Sequence, residues 1–477
     1  MGSASTTVEE AAAQAPGFGL ATATFVVVSS MVGAGVLTTS GFTVYYVGSN
    51  QLMLALWVVG AAIALCGALT LAELAAALPR SGGDYVYLYE AYGPLAAFLS
   101  GWVSFLIGFG GPIAASAFAA AKYLLAPLRL PDPAALRAQQ ALATVAILAF
   151  AAIHVSGRRL TVRVQGGVTV LKLGFLGLLA AAGLAAGWGR WSHLADRPPV
   201  SLPLLVTMAS SLVYISYAYT GWNAAAYLAG EVERPQRLMP RAILLGTGLV
   251  VALYLALNTF YALALSAADV RGIVDAPGNP QGPGAVAQVA HLAADRLFGP
   301  RLAAPLSVAI GLTLLASLSA YVLTGPRVAY AMAHAGQFPA IAGRLSARRG
   351  TPAIATGLQV AWALVLLWTG SFENLLVYCG IGLMLFSMLT VSAIYVLRWR
   401  RPDLARPFRT PGYPLVPALY LVGTGLVVAA VLVDAQNRWP SIYALLSILA
   451  GVPVYYLAHL RGDGRRDPHS TDLPGAP

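Results

Sequence analysis

Twelve runs of roughly 20 mostly apolar residues divide this chain, and their length limits what it can fold into. They cover 18–45, 51–78, 94–127, 137–155, 162–187, 204–230, 241–266, 302–333, 353–370, 374–397, 413–434 and 440–460. About 20 such residues in a helix cross the hydrocarbon layer of a bilayer. Charged residues make up 10% of the chain, against about 25% in a soluble domain, too few to cover a water-facing surface. The expectation is an all-α protein of the lipid bilayer with 12 transmembrane helices in one domain over 18–460.

A net charge of +11 raises the question of a nucleic acid partner, but the basic residues form no single face. They collect in alternate gaps. The gaps and tail at 80, 158–163, 234–241, 344–349, 398–409 and 461–466 hold 18 arginines, and the opposite set holds eight. The positive-inside rule then puts both termini in the cytoplasm. Residues 1–17 carry Glu9 and Glu10 but no Lys or Arg, so they read as a cytoplasmic tail rather than a signal peptide. Residues 461–477 read as a second tail. Cys66 and Cys379 both lie in apolar runs, with no disulfide framework and no metal-ligand spacing. No cofactor is expected, and the oligomeric state is left open.

The first run has a weak centre, "SSMVGAGVLTTSG" at 29–41. Gly33 and Gly35 each weaken a helix by roughly 1 kcal/mol. Two readings compete. Small residues let helix backbones approach closely, or the helix breaks and its freed backbone groups line a cavity. The sixth run favours the break. It reads "SLVYISYAYTGWNAAAYLAGEVERPQRLMP", with Ala218, Tyr219, Thr220 and Gly221 interrupting an apolar helix. Interruptions at corresponding points of two halves point to a transporter's midplane site. A half-helix N-terminus offers N–H groups and a positive dipole end to a carboxylate. Carbonyls ending the preceding half-helix accept from an ammonium. An α-amino acid carries both charges on one carbon.

Five ordered motifs also resemble one family. "MVGAGVL" is similar to the first-helix signature of the amino acid–polyamine–organocation superfamily. "AELAAALPRSGGDYVYLYEAYGP" (72–94) resembles its second helix and following loop, and "YAYTGWNAAAYLAGEVERPQRLMPRA" its sixth helix. "GPRVAYAMAHAGQFP" (325–339) and "RPDLARPFRTPGYP" (401–414) resemble later segments. The resemblance implies a LeuT-like fold of two inverted five-helix repeats, approximately 18–187 and 204–397, plus two further helices at 413–460. It implies alternating access by rocking of helices 1, 2, 6 and 7. Carried over, Gly33, Ala34 and Gly35 would hold a carboxylate through backbone N–H groups. Carbonyls of Met31, Val32, Tyr217, Ala218 and Thr220 would hold an ammonium, with Tyr219 and Gly221 completing the second break; Asn223, which follows that break, reads either as bonding to the broken backbone or as bonding to substrate. Tyr217 would be an aromatic gate. Many relatives carry Ser where this chain has Ala34, which leaves a backbone-only carboxylate site.

Lys172 lies inside the fifth run, about nine residues and roughly 13 Å of helix beyond Arg163. Intramembrane ammonium groups are costly and face partners in the bundle interior, whereas snorkelling is the alternative. In the family, the matching lysine takes the place of a sodium ion and contacts the first-helix break. Sodium-independent transport follows, coupled to protons or working by exchange. Glu73 and Arg327 read as structural contacts, Lys122 as a snorkelling side chain, and His154 as a satisfied interfacial residue. Thr38, Thr39 and Ser40 read as bonding back onto their helix.

No acidic or basic residue lies within 29–44 or 208–227. A neutral amino acid is therefore favoured over a polyamine or cationic amino acid, the antiporter alternative. Ile113, Ala114, Ser317 and Ser319 are candidates for setting side-chain size. No membrane-enzyme signature is present. No filter-like repeat suggests a channel, and a non-transporting sensor remains a remote alternative. The stretch 285–298 has a helical rhythm and reads either as a cap on the outer mouth or as an interfacial helix.

Overall fold

The computed structural model describes residues 18–460 except 129, 187, 189, 196–197, 200, 277–284, 287, 347–348, 370–371 and 435–437. The expected tails, 1–17 and 461–477, lie outside the described residues. Among the described residues all extended regular structure is helical, with one isolated bridge between Phe18 and Val232.

The first expected span is split into α1 (Leu20–Met31) and α2 (Ala34–Val47). The long α3 (Asn50–Ala77) follows, its N-terminus capped by the Ser49 hydroxyl. A short α4 (Asp84–Tyr92) occupies the next gap. The third span consists of α5 (Pro94–Val103) and α6 (Gly110–Leu125), joined by a π-helical turn at Ser104–Phe109. The fourth and fifth spans are α7 (Asp132–Val155) and α8 (Arg158–Ala186). α9 (Leu202–Tyr219) ends at the second break and is continued by a 3-10 stretch, Ala224–Glu231. Then come α10 (Pro235–Ala264), α11 (Ala267–Val274), α12 (Val289–Phe298) and α13 (Pro300–His334). The chain closes with α14 (Ala353–Thr369), α15 (Phe372–Arg400), α16 (Leu415–Val433) and α17 (Arg438–Leu460).

Among the described residues eleven helical stretches are long and apolar enough to cross a membrane, so this is a multi-pass membrane protein. The expected span at 353–370 is the shorter apolar helix α14, 17 residues long. At 1.5 Å per residue it measures roughly 25 Å, just under the hydrocarbon thickness. Against the expected 12, the described residues hold 11 helices of spanning length and one shorter apolar helix.

The π-turn was not expected from the sequence, although its cause is visible there. Pro112 has no N–H to give the carbonyl four residues back and its ring crowds that carbonyl. Carbonyls loosened by the wider turn find donors on neighbouring helices. Phe105 accepts from Gln359 at 2.9 Å, Leu106 from Trp362 at 2.9 Å and Ile107 from the Cys379 thiol at 3.5 Å.

The 285–298 stretch packs into the bundle rather than lying on its surface. Val286, Val289, Ala290, Ala293 and Ala294 are buried. A Cβ on Gly41 of α2 would lie 2.2 Å from the Val286 carbonyl oxygen. The glycine is what lets the stretch seat on α2. At the arginine-rich end, Glu73 accepts both Arg398 donors at 2.9 and 2.7 Å, and Arg327 pairs with Glu231 at 2.9 Å. Both are the structural contacts expected.

Candidate functional site

Helix α1 stops because Val32 (φ −75, ψ 88) and Gly33 (φ −120, ψ −153) leave the helical region. Four carbonyls, Ser29 to Val32, thereby lose the N–H groups that would have closed their turns. Side chains from distant helices replace every one. Ser29 accepts from Lys172 Nζ at 3.2 Å, Ser30 from the Tyr321 hydroxyl at 2.5 Å, and Met31 from the Tyr254 hydroxyl at 2.6 Å. Val32 accepts from Ser317 Oγ at 2.6 Å and also from Lys172. Unpaired carbonyls in hydrocarbon would each cost several kcal/mol, so these donors hold the break open. On the other side, α2 begins at Ala34 with no side-chain cap. Its first N–H groups have no intrahelical acceptor and carry the positive end of the helix dipole.

The second break is built differently. Thr220 is extended (φ −64, ψ 158) and Gly221 has φ +105, a conformation that glycine alone adopts without strain. The Tyr217 carbonyl accepts from Thr220 itself, at 3.1 Å from N and 2.7 Å from Oγ1. The Ala218 carbonyl lies 3.0 Å from the Tyr254 hydroxyl. A hydroxyl has one proton, so the Met31 and Ala218 carbonyls share it, and one residue of α10 joins the two breaks.

The glycines divide between the two readings of the sequence. A Cβ on Gly35 would lie 2.6 Å from the Ala218 Cα, and one on Gly221 would lie 2.8 Å from the Ser30 carbonyl carbon. These two glycines bring the broken segments into backbone contact. Gly33 has ordinary space, with the Tyr321 hydroxyl 3.5 Å and Ser317 Oγ 3.9 Å from where a Cβ would be.

A cavity opens beside the breaks, lined by Ser30, Ser104, Phe109, Thr220, Asn223 and Tyr321 among others. Of the residues expected at the site, Thr220, Gly221 and Asn223 line it. Met31, Val32, Gly33, Ala34, Gly35, Tyr217 and Ala218 lie in or against the breaks without lining the cavity. The Ala34 carbonyl is occupied by Thr38 Oγ1 at 2.7 Å. Tyr219 turns its ring onto Trp57 and Tyr254 and donates to the Trp57 carbonyl at 3.3 Å, leaving only its backbone at the break. Thr38 bonds back onto its own helix as expected, but Ser40 reaches across to Asn258 Oδ1 at 2.5 Å.

Lys172 is 1% exposed. Its ammonium is held by the Ser29 and Val32 carbonyls and by Ser317 Oγ at 2.8 Å. It therefore faces the bundle interior and touches the first break rather than snorkelling. Ser317 and Ser319, raised as size-setting candidates, are engaged in the protein's own network. Ser319 donates to Gln165 Oε1 at 2.7 Å and lies 3.0 Å from His154 Nε2. His154 is buried and satisfied rather than interfacial.

Tyr254, Tyr321 and Asp84 were not foreseen. Asn223 Nδ2 donates to Asp84 Oδ2 at 2.8 Å, so a carboxylate stands one side chain from the cavity, 139 residues away in sequence. Its one local signal is a glycine pair before an acidic helix start, Gly82-Gly83-Asp84.

Known proteins share this arrangement of sequence. The serine/threonine exchanger SteT of Bacillus subtilis (strain 168) is 30% identical over 442 residues, 92% of this chain and 95% of that protein. The large neutral amino acids transporter small subunit 2 of Homo sapiens is 30% identical over 448 residues, 92% of this chain and 79% of that protein. The cystine/glutamate transporter of Pongo abelii is 27% identical over 434 residues, 91% of this chain and 83% of that protein. All three are named as transporters or exchangers, not enzymes. The family model described as amino acid permease matches residues 18–452, and the chain belongs to that family, within the amino acid–polyamine–organocation superfamily.

Proposed function

We propose that the chain carries neutral amino acids across the membrane by alternating access, independently of sodium. The observation that carries this is the contact between the two broken helices, with an uncapped helix N-terminus at one break and unwound carbonyls at the other. A carboxylate docks on the N–H groups of Gly33, Ala34 and Gly35. Val32 already accepts two donors, which fill both lone pairs of its carbonyl. The ammonium therefore falls to the Tyr219 and Thr220 carbonyls, the Asn223 amide and the second lone pair of Met31. Tyr217 closes over the substrate from α9.

Several observations support the finer points. Cavity-lining Ser30, Ser104, Thr220, Asn223, Tyr321 and Ser387 offer hydroxyl and amide groups to a small polar side chain. The relatives are named for serine and threonine, for large neutral amino acids, and for cystine and glutamate. Exchange is in the name of one of them. Lys172 fills the interior position beside the first break with a fixed cation, which removes the need for sodium. We read 18–187 and 204–397 as the inverted repeats, α16 and α17 as additions, and both termini as cytoplasmic from the arginine bias.

Purified protein in liposomes tests this. Labelled serine should enter faster when unlabelled serine is inside, with no response to sodium. Uptake that rises steeply with a sodium gradient alone would overturn the reading. The Asp84 carboxylate favours a second one, antiport of a cationic amino acid or polyamine. Stronger competition by putrescine or lysine than by serine would select it.

A further inference from the structure

Asp84 opens α4 after two glycines of positive φ, Gly82 (+126) and Gly83 (+56). A Cβ on Gly83 would lie 2.7 Å from the Tyr227 ring, so the turn presses the start of α4 onto the exit of the sixth span. Asp84 is 5% exposed. Its Oδ2 accepts from Asn223 Nδ2 at 2.8 Å and from the Tyr227 hydroxyl at 3.2 Å. Its Oδ1 accepts no hydrogen bond of good geometry, with the Thr390 hydroxyl beside it.

No cation among the described residues pairs with this carboxyl. Tyr87 approaches it from its own helix, Asn223 and Tyr227 from the sixth span, Thr390 from α15 and Tyr420 from α16. Arg80, whose charge acts on neighbouring Tyr87, is paired with Glu90. A buried carboxylate without a counter-ion is costly to keep charged.

The bond to Asn223 has a directional consequence. A carboxylate oxygen accepts, so the Asn223 nitrogen must face it. The same nitrogen lies 3.4 Å from the Tyr227 hydroxyl oxygen, an acceptor for its second N–H. With its nitrogen committed, the planar amide points its oxygen away from Asp84, and Asn223 lines the cavity. An amide oxygen backed by a negative charge is an acceptor for an ammonium, and low surrounding polarity strengthens the attraction.

We propose that Asp84 positions the ammonium of the substrate, by turning the Asn223 amide oxygen into the cavity and supplying the counter-charge behind it. This rests on the transport reading above. Asp84 is a positioning residue, since Asn223 stands between it and the cavity.

Burial raises the Asp84 carboxyl from its ordinary value to about 6. An ammonium ligand favours the ionised form, so affinity is full above that pH and falls as pH drops through it. At pH 5 about a tenth of the carboxyl remains ionised, which predicts a roughly tenfold loss relative to pH 7. The wild-type protein supplies the first test. Affinity for serine should fall between pH 7 and pH 5, while that for glycerate, which has a hydroxyl in place of the ammonium, should not. A parallel fall for both ligands, or none for either, overturns the proposal.

Asp84→Asn supplies the second. It should raise the serine KM about tenfold with Vmax little changed, flatten the pH response, and narrow the preference for serine over glycerate. Unchanged KM and pH response in the variant overturn the proposal while leaving transport intact. Absence of any amino acid uptake by the wild type overturns the transport reading, and this one with it.

Discussion

The Tyr254 hydroxyl lies 2.6 Å from the Met31 carbonyl, across 223 residues of sequence. It also lies 3.0 Å from the Ala218 carbonyl, so the two helix breaks share one donor. Tyr254→Phe leaves two buried carbonyls competing for nothing, a loss of about 1–3 kcal/mol. Its thermal unfolding midpoint should fall clearly. Tyr261, on the same helix, has a buried hydroxyl with no partner. Tyr261→Phe should leave the midpoint unchanged or raise it. Equal effects of the two variants would show that the Tyr254 bonds carry no special weight.

Lys172→Met removes the donor to Ser29 and one donor to Val32, together with the cation at the first break. Serine exchange in liposomes should drop more than tenfold, in line with losing a charged hydrogen-bond donor worth about 1.5–3 kcal/mol. Added sodium should not restore it. Retention of wild-type rates would remove Lys172 from the mechanism.

The glycines separate by packing. Gly33→Ala meets ordinary contacts at 3.5 Å, whereas Gly35→Ala puts its methyl 2.6 Å from the Ala218 Cα. Exchange should survive the first change and fail in the second. Gly221→Ala should also fail, because φ is +105 and the methyl would lie 2.8 Å from Ser30 backbone. A tolerated Gly35→Ala would mean that the two breaks can separate without loss.

Glu73→Gln weakens a two-point pairing with Arg398 and a 2.6 Å bond from the Thr410 N–H. The carboxylate is buried and Arg398 partly exposed, so a loss of about 1–2 kcal/mol is expected. Thermal unfolding in detergent measures it, and exchange by the surviving folded fraction should be normal. A specific loss of exchange without loss of stability would give Glu73 a transport role.

Much was legible in the residue order. The long apolar runs, the bilayer as solvent, and the weak points at Gly33 and Gly221 all follow from local chemistry. So does the inward course of Lys172, because an ammonium that deep cannot reach the interface. The π-turn before Pro112 was overlooked, although its local cause was present. The 3-10 continuation at Ala224–Glu231 has no comparable marker.

What residue order alone marked was the two weak points in the first and sixth spans, since glycine and small residues weaken a helix wherever they stand. Which groups would then satisfy the interrupted backbone was settled only by tertiary structure. Tyr254, Ser317, Tyr321 and Lys172 reach the first break from sequence distances of 140 to 291. Asp84 joins Asn223 across 139. A hydroxyl or carboxyl in a long chain has many possible partners, and helix packing selects the one it meets.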